Sequence, residues 1–315
     1  MRIGQNPAKA AKEVAKPARI TAAVLNYIPF LNGFYTETLD VLKVCLNSLR
    51  DGADLPYDLM VFDNGSCPEV VEYLVNEQQA GRIQYLLLSE KNLGKGGAWN
   101  FILAAAPGEI IAYSDSDALF YPGWLSKSVE VLETYPKVGM VTARPLRTPA
   151  DLYSAVQDWA AATPEVKVEE GQLMSWEMYK EFAETMGYPE GKIEEVYAET
   201  RDVRLTYKGV TAYAGANHFQ FVGWKSVLNE FVPFNMDRPM GQVRMLDRGL
   251  NERGYLRLMT ADPLVQNMSN TLPPHLRQSA LERPAAVRKR SLWDFPLVKK
   301  PLLWLYDRIF KLYNP

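Results

Sequence analysis

The chain has 315 residues, of which 47% are hydrophobic and 23% are charged, a composition typical of soluble globular proteins and sufficient for a large core. Its formal net charge of −2 gives no indication of nucleic-acid binding. No apolar run reaches the roughly 18 residues that a membrane-spanning helix needs, and we expect no signal peptide. Because Cys45 and Cys67 form no Cys-x-x-Cys motif, we expect free thiols and a cytoplasmic protein.

Alternating strands and helices are predicted in the first hundred residues. Residues 1–18 are basic and contain two prolines, and we expect a loose leader there. Buried apolar runs then predict strands over 20–27, 57–63 and 83–88, and helical spacing predicts helices over 36–50, 68–79 and up to residue 106. This alternation indicates a parallel sheet covered by helices.

The fourth predicted strand ends in two carboxylates, Asp115 and Asp117. A turn directly after the strand can bring both toward one hard cation, and Mg²⁺ or Mn²⁺ held in this way usually completes its shell with substrate phosphates. The alternative interpretation is a polar turn in which Ser114 or Ser116 caps the following helix. An Asp-x-Asp motif alone therefore predicts a metal site only weakly.

Polar residues end all four predicted strands or directly follow them. They are Asn26, Asp63, Asn92 and the pair Asp115 and Asp117. Because the carboxyl ends of parallel strands meet at one edge of a sheet, we expect these side chains to lie close together. Their repetition favours a nucleotide site.

A glycine-rich segment, residues 92–100, follows the third strand and begins a helix. Glycine lets a backbone approach a ligand, and a helix N-terminus favours phosphate. Gly94, Lys95 and Gly97 are the residues of interest. The segment matches neither the Walker loop nor the dinucleotide fingerprint.

Four segments, in this order and spacing, resemble the GT-A glycosyltransferases of family 2. They are Val-Leu-Asn-Tyr at 24–27, Val-Phe-Asp-Asn-Gly-Ser at 61–66, the glycine-rich segment at 92–100 and Ser-Asp-Ser-Asp at 114–117. The resemblance covers about residues 19–145. It implies a Rossmann-like, mostly parallel sheet flanked by helices, and an inverting transfer from a nucleotide-diphosphate sugar, most commonly a UDP-sugar, to a hydroxyl group of a glycan or glycoconjugate.

The same resemblance implies roles for individual residues. Tyr27 and Asp63 would help to hold the base and ribose, the Asn92 loop would lie beside the nucleotide, and Asp115 and Asp117 would carry Mn²⁺ or Mg²⁺ on the diphosphate. The residues assigned to the nucleotide sugar are Asn26, Tyr27, Asp63, Asn92, Gly94, Lys95, Gly97 and Ser116.

The second half begins with a predicted helix over 124–135 and a strand over 138–144. Residues 146–205 are acidic and aromatic, and they form an insertion that shapes the acceptor side or, alternatively, a solvated helical excursion. Residues 211–224 resemble the acceptor-side segment of the family, with Asn217, His218 and Trp224 as acceptor-side residues. A structural, hydrogen-bonded role for His218 is equally open.

An inverting transferase needs a base that takes the proton of the acceptor hydroxyl. Family members carry Glu-Asp or Asp-Asp ahead of a helix that ends in Gly-Tyr, and this chain has Gln242 and Val243 there. Neither side chain can accept that proton. We therefore predict Asp247 as the base, with Asp237 as the alternative, and each could instead be structural.

A second departure concerns the metal. Many relatives carry a His ligand near the last strands, where this chain has Asn267. An amide oxygen is a feasible ligand for Mg²⁺ or Mn²⁺, and His275 is an alternative. The two departures leave open a second function, a weak or inactive GT-A-like scaffold that binds nucleotides or glycans. A nucleotidyltransferase is less well matched, because residues 26–33 lack its glycine-rich basic loop.

The chain is thus divided into a leader at 1–18, a nucleotide-sugar half at 19–145, an acceptor half at 146–280 and a basic tail at 281–315. The tail carries apolar residues on one helical face of 301–313 and is too short to span a bilayer. It could pack on its own core, form a homodimer or lie peripherally on the inner membrane face.

Overall fold

The computed structural model describes residues 14–237, 241–273 and 276. These residues form a central mixed sheet with helices packed against it. Its strands, together with those of a separate ribbon, are β1 (Ile20–Asn26), β2 (Tyr57–Asp63), β3 (Tyr85–Leu88), β4 (Ile110–Asp115), β5 (Ala118–Phe120), β6 (Val138–Thr142), β7 (Lys167–Gly171), β8 (Asp202–Tyr207), β9 (Val210–Ala214), β10 (Gln220–Trp224), β11 (Leu256–Thr260) and β12 (Val265–Asn267).

The order of strands across the sheet is β3-β2-β1-β4-β10-β6-β11-β9-β8-β7, and β12 pairs with β5 in the antiparallel ribbon. Strands β1 to β4 are parallel neighbours, and β6 and β11 are parallel to each other. The mostly parallel sheet flanked by helices is confirmed. The two central strands β1 and β4 are buried on both faces, as their continuous Val, Ile, Leu and Ala runs predict.

The helices within the described residues are α1 (Thr38–Gly52), α2 (Pro68–Gln79), α3 (Gly94–Ala105), α4 (Trp124–Thr134), α5 (Ser154–Ala161), α6 (Trp176–Thr185), α7 (Glu190–Glu199), α8 (Lys225–Leu228) and α9 (Gln242–Glu252). Helix α1 is an example of how these helices pack an apolar face against the core. Its apolar residues recur every three or four positions, so that Val41, Leu42, Cys45, Leu46 and Leu49 all face the core. Cys45 is buried, and both cysteines are free.

Strand β10 reverses the direction of the sheet between β4 and β6. It is antiparallel to both neighbours, and Gln220 pairs with Ser114 at the carboxyl end of β4. Gly223 permits this close packing, because a Cβ there would lie 2.7 Å from the carbonyl oxygen of Gly139. The segment before β10 is thereby delivered to the edge of the sheet where β4 ends.

Residues 146–205 contain α5, β7, α6, α7 and most of β8, and β7 and β8 extend the central sheet at its far end. Arg147 joins these elements. Its guanidinium is 3.0 Å from Asp202 and donates to the carbonyl oxygens of Tyr197 and Thr200, both at 2.7 Å. The insertion is therefore a packed extension of the sheet in which helices and strands share a buried ion pair.

The predicted amphipathic tail at 281–315, His275 and residues 1–13 of the leader lie outside the described residues. Within the parts of the chain that the structure describes, we find no helix with the length and hydropathy required to cross a membrane.

Candidate functional site

A cleft of about 470 Å³ opens at the carboxyl ends of β1 and β4. Aromatic side chains form one part of its lining, namely Tyr27, Phe34 and Tyr35. Of the residues predicted to contact a nucleotide sugar or metal, Tyr27, Asn92, Gly94, Lys95, Asp115, Ser116 and Asp117 line this cleft. Predicted residues from three separate segments of the chain therefore surround one space.

Asp115 is held by two neighbours. Lys95 Nζ lies 2.7 Å from Asp115 Oδ2, and the Tyr113 hydroxyl donates to Asp115 Oδ1 at 2.5 Å. Burial, followed by the charge of Asp115, raises the pKa of Tyr113, so the phenol keeps its proton and remains a donor. Lys95 also lies over the rings of Trp99 and Tyr113. The ammonium group therefore lies at the carboxylate that a diphosphate or a cation would approach.

Asp117 lies at the start of the β5–β12 ribbon. Burial, followed by repulsion from Asp115, raises its pKa to about 7, and Lys95 only partly offsets this. Its carbonyl oxygen accepts a hydrogen bond of 2.8 Å from the amide of Met268. A half-buried carboxylate whose charge is poorly compensated is a group that a bound cation would stabilise.

Asn267 reaches the same region through β12, where it pairs with Ala118. Its side-chain oxygen accepts from the amide of Ser269 at 2.9 Å, and the residue is 7% exposed. Among residues 14–237, 241–273 and 276, no three His, Cys, Asp or Glu side chains cluster as a metal site. Asp115 and Asp117 are thus the two carboxylates among the lining residues of this cleft.

Asp63 and Asn26 brace the first two strands below the cleft. Asn26 Nδ2 donates to Asp63 Oδ1 at 2.8 Å and to Ser66 Oγ at 3.0 Å, and the amide of Ser66 donates to Asp63 Oδ2 at 2.9 Å. Both Asn26 and Asp63 are fully buried. The structure therefore places them beneath the cleft lining, where they fix the loop that follows β2.

The neighbouring residue Asn64 was not singled out from the sequence, although it lies within the quoted Asp-Asn-Gly-Ser segment. It lines the cleft, its amide donates to Asn92 Oδ1 at 3.0 Å, and its oxygen accepts from the amide of Leu93 at 2.9 Å. Asn64 thereby joins the β2 loop to the glycine-rich segment. Gly97 lies inside α3, where a Cβ would be 2.8 Å from that of Leu93.

Asp247 and His218 form a second constellation. Asp247 on α9 lies 3.0 Å from His218 Nδ1 through Oδ2 and 2.6 Å from the Arg257 guanidinium through Oδ1. Asp247 and Arg257 are 4% and 1% exposed, whereas the His218 side chain is 31% exposed. Burial lowers the pKa of Arg257, and Asp247 opposes this shift. Arg257 was not considered from the sequence, because nothing local marks a strand arginine as the partner of a helix aspartate.

The other acceptor-side residues are dispersed. The Thr142 hydroxyl at the end of β6 accepts from the amide of Asn217 at 2.7 Å and donates to its carbonyl oxygen at 3.0 Å. Trp224 pairs with Ile110, the first residue of β4, and so lies at the opposite edge of the sheet from the cleft. Asp237 lies exposed in the loop before α9.

The fold and cleft define an α/β protein with a polar, partly aromatic site at the carboxyl edge of its parallel strands. The profile described as Glycosyl transferase family 2 matches residues 28–186, half of the 315-residue chain, and the chain belongs to this family.

A curated relative, an uncharacterized glycosyltransferase from Nostoc sp. strain PCC 7120, is 29% identical over 100 residues. The match covers 32% of this chain and 31% of that relative, so the chain spans under a third of its length.

Solved structures show weaker likeness. The mannosyltransferase PcManGT of Pyrobaculum calidifontis, in complex with GDP-Man and Mn²⁺, is 17% identical with a TM-score of 0.49, covering 86% of this chain and 66% of that one. Residues 1–349 of TarS from S. aureus are 12% identical with a TM-score of 0.45, covering 78% and 58% of the two chains.

Proposed function

We propose that this protein is an inverting, metal-dependent hexosyltransferase. It moves a sugar from a nucleotide-diphosphate donor to a hydroxyl group of a glycan or glycoconjugate, and the favoured donor is a UDP-sugar. The observation that carries the proposal is the meeting of Asp115, Asp117 and Lys95 in one cleft of a family 2 chain. The cleft supplies a charged end for a diphosphate and an aromatic part for a base.

The donor would lie with its base toward the aromatic lining formed by Tyr27, Phe34 and Tyr35, and with its diphosphate toward Lys95. The acceptor oxygen attacks the anomeric carbon as the bond to the diphosphate breaks, so no covalent enzyme intermediate is needed. Negative charge develops on the leaving diphosphate in that step. The Lys95 ammonium group is placed to offset part of this charge, provided that it turns from Asp115 toward the phosphates.

The two carboxylates suit a divalent cation. Asp115 and Asp117 are hard oxygen ligands, and the raised pKa of Asp117 reflects a negative charge that lacks full compensation. They would hold Mn²⁺ or Mg²⁺, which when bound supplies positive charge for the leaving diphosphate. Asn267 is less suited to be a ligand, because its oxygen already accepts from Ser269.

A second candidate function is binding without transfer. It is favoured by Val243, which is 7% exposed in the apolar core where the family carries an acidic residue, and by the burial of Asp247. A nucleotide- or glycan-binding scaffold would keep the cleft and lack turnover.

Calorimetric titration with UDP, GDP and dTDP, each with and without Mn²⁺, tests the donor site. We expect one nucleotide to bind with an absolute need for the metal, and Asp117→Ala to abolish this metal-dependent binding. Binding that is the same with and without Mn²⁺ in both proteins would refute the assignment. Consumption of the matching nucleotide sugar then separates an enzyme, which releases nucleoside diphosphate, from a scaffold, which does not.

A further inference from the structure

The Asp247 carboxylate is not accessible to the hydroxyl group of an acceptor substrate. Its carboxylate is 5% exposed, Oδ1 lies 2.6 Å from the Arg257 guanidinium, and Oδ2 lies 3.0 Å from His218 Nδ1. A general base must come within about 3 Å of the hydroxyl whose proton it accepts, directly or through one water. A buried carboxylate with both oxygens occupied by neighbours cannot make that approach without breaking an ion pair.

The ion pair with Arg257 is itself firmly anchored. The Arg257 guanidinium also donates to the carbonyl oxygens of Leu152 at 2.7 Å and Ala216 at 2.8 Å, so it joins α9 to two other segments. A guanidinium has donors only, so Asp247 accepts through Oδ1, and we assign the acceptor role to Oδ2 as well. It follows that His218 Nδ1 carries the hydrogen in this contact.

When Nδ1 of a neutral imidazole carries the hydrogen, Nε2 has a free lone pair. The His218 ring thus presents a basic nitrogen on the side away from Asp247. At 31% exposure the side chain is reachable from solvent, in contrast to Asp247.

The segment that bears His218 is fixed at the catalytic edge of the sheet. The next residue, Phe219, accepts a hydrogen bond of 2.8 Å through its carbonyl oxygen from the amide of Asp115. The preceding residue, Asn217, is tied to Thr142 at the end of β6. His218 is therefore held between the ends of β4 and β6, beside the strand that ends at the cleft residue Asp115.

We propose that His218 Nε2 is the base that accepts the acceptor's proton, and that Asp247 is a positioning residue which holds His218 in the required tautomer. This rests on the proposed transferase function. In the step, the acceptor oxygen forms a bond to the anomeric carbon, the bond from that carbon to the diphosphate breaks with its electron pair leaving on the diphosphate, and the hydroxyl proton passes to His218. Asp247 stabilises the imidazolium that results, which later releases its proton to water.

The pair explains how a chain with Val243 at the expected acidic position can remain an enzyme. Val243 packs with Leu246 and Leu250 in an apolar cluster, so this turn of α9 offers no carboxylate. One turn further on, Asp247 supplies the negative charge and holds the imidazole of His218, which comes from the segment before β10.

The first test reads the tautomer directly. The chain has two histidines, so the untagged His275→Gln variant leaves His218 as its single imidazole. In a long-range ¹H–¹⁵N correlation spectrum at pH 8, we expect the hydrogen on Nδ1 and a bare Nε2. Adding Asp247→Asn should convert this to a mixture of tautomers. A hydrogen on Nε2 in the parent spectrum would overturn the proposal without reference to activity.

The second test measures turnover with water as the acceptor, so that no acceptor needs to be known. Release of nucleoside diphosphate is followed from UDP-, GDP- and dTDP-linked hexoses with Mn²⁺. We expect His218→Gln to lower kcat by about 10²-fold or more, while the Kd of the nucleoside diphosphate changes less than about threefold. Added imidazole should restore turnover to His218→Ala, which leaves a solvent-reachable gap.

The outcomes separate the two claims. If the wild-type chain turns over and the kcat of His218→Gln is within threefold of the wild-type value, the role of His218 is overturned. The transferase function would still stand. If Asp237→Asn loses turnover while His218→Gln keeps it, the role of His218 is likewise overturned and the transferase function stands. A wild-type chain that binds none of the nucleotides and consumes none of the sugars would overturn the proposed function and the base together.

Discussion

At the scale of single residues, the chemistry of Asp117 depends strongly on its surroundings. Its pKa of about 7 means that the metal-free carboxylate is protonated at pH 6 and ionised at pH 8. A cation must displace that proton, so binding becomes weaker as the pH falls. We expect the Mn²⁺ affinity, measured by calorimetry with saturating UDP, to fall about tenfold between pH 8 and pH 6.

The control for this prediction is Asp40→Asn, which changes an exposed carboxylate paired with Lys43 on α1. It should leave the affinity and its pH dependence unchanged. A wild-type affinity that is constant from pH 6 to pH 8 would show that Asp117 is not a ligand or is ionised throughout.

Lys95 is expected to affect the metal and the nucleotide in opposite directions. In the metal-free protein its ammonium group is 2.7 Å from Asp115 and thus competes with a cation for that carboxylate. Lys95→Met should therefore strengthen Mn²⁺ binding in the absence of nucleotide by several-fold and weaken UDP binding by about tenfold. Parallel calorimetric titrations with each ligand check both signs. Changes of the same sign for both would mean that Lys95 serves only to stabilise the loop.

Asp115 and Asp117 could be located from the sequence because the end of a buried strand is a local property. The contact of His218 with Asp247 could not be located in this way. It depends on the positions of the segment before β10 and of α9, which are 29 residues apart, and on Arg257 from a third element. Without knowledge of the sheet order, three polar residues far apart in the sequence gave no indication of a cluster.

At the scale of elements, the insertion depends on one buried ion pair. The side chains of Arg147 and Asp202 are 6% and 3% exposed, and Asp202 also accepts from the amides of Leu173 and Met174. Arg147→Met leaves Asp202 buried without its cation. We expect the free energy of unfolding to fall by about 3–5 kcal/mol, measured by urea denaturation.

A matched variant on α7 is Lys192→Met, which removes an exposed i,i+3 partner of Glu195. It should change stability by less than about 1 kcal/mol. The double variant Arg147→Met with Asp202→Asn should recover part of the loss, because no charge then remains buried alone. Equal effects of Arg147→Met and Lys192→Met would contradict the assigned role.

The elements from β1 to β4, together with α4, follow closely from local patterns, whereas the short strand β5 was not predicted. Helix 68–79 agrees with the structure at both ends, and β2 does as well. The placement of β10 between β4 and β6 could not be inferred, because its partners lie over 75 residues earlier in the chain and its short run, Gln-Phe-Val-Gly-Trp, fits either sheet direction. The pairing of β5 with β12 is non-local for the same reason.

At the scale of the whole molecule, the two halves of the chain share one sheet. Strand β6 belongs to residues 19–145, whereas its neighbours β10 and β11 come from the second half. A fragment of residues 19–145 would expose one side of β4 and both sides of β6. We expect such a fragment to show no cooperative thermal transition by circular dichroism, whereas the full chain does. A sharp transition in the fragment would show that the nucleotide half is an autonomous domain.

The β5–β12 ribbon has one more consequence. The amide hydrogen of Met268 is bonded to the carbonyl oxygen of Asp117, the residue at the charged end of the cleft. That hydrogen can exchange with deuterium only when the bond opens, so its exchange rate records how often the turn at 116–117 separates from the last described strand. The exchange rate of one amide outside the cleft thus reports the opening of the turn that carries Asp117.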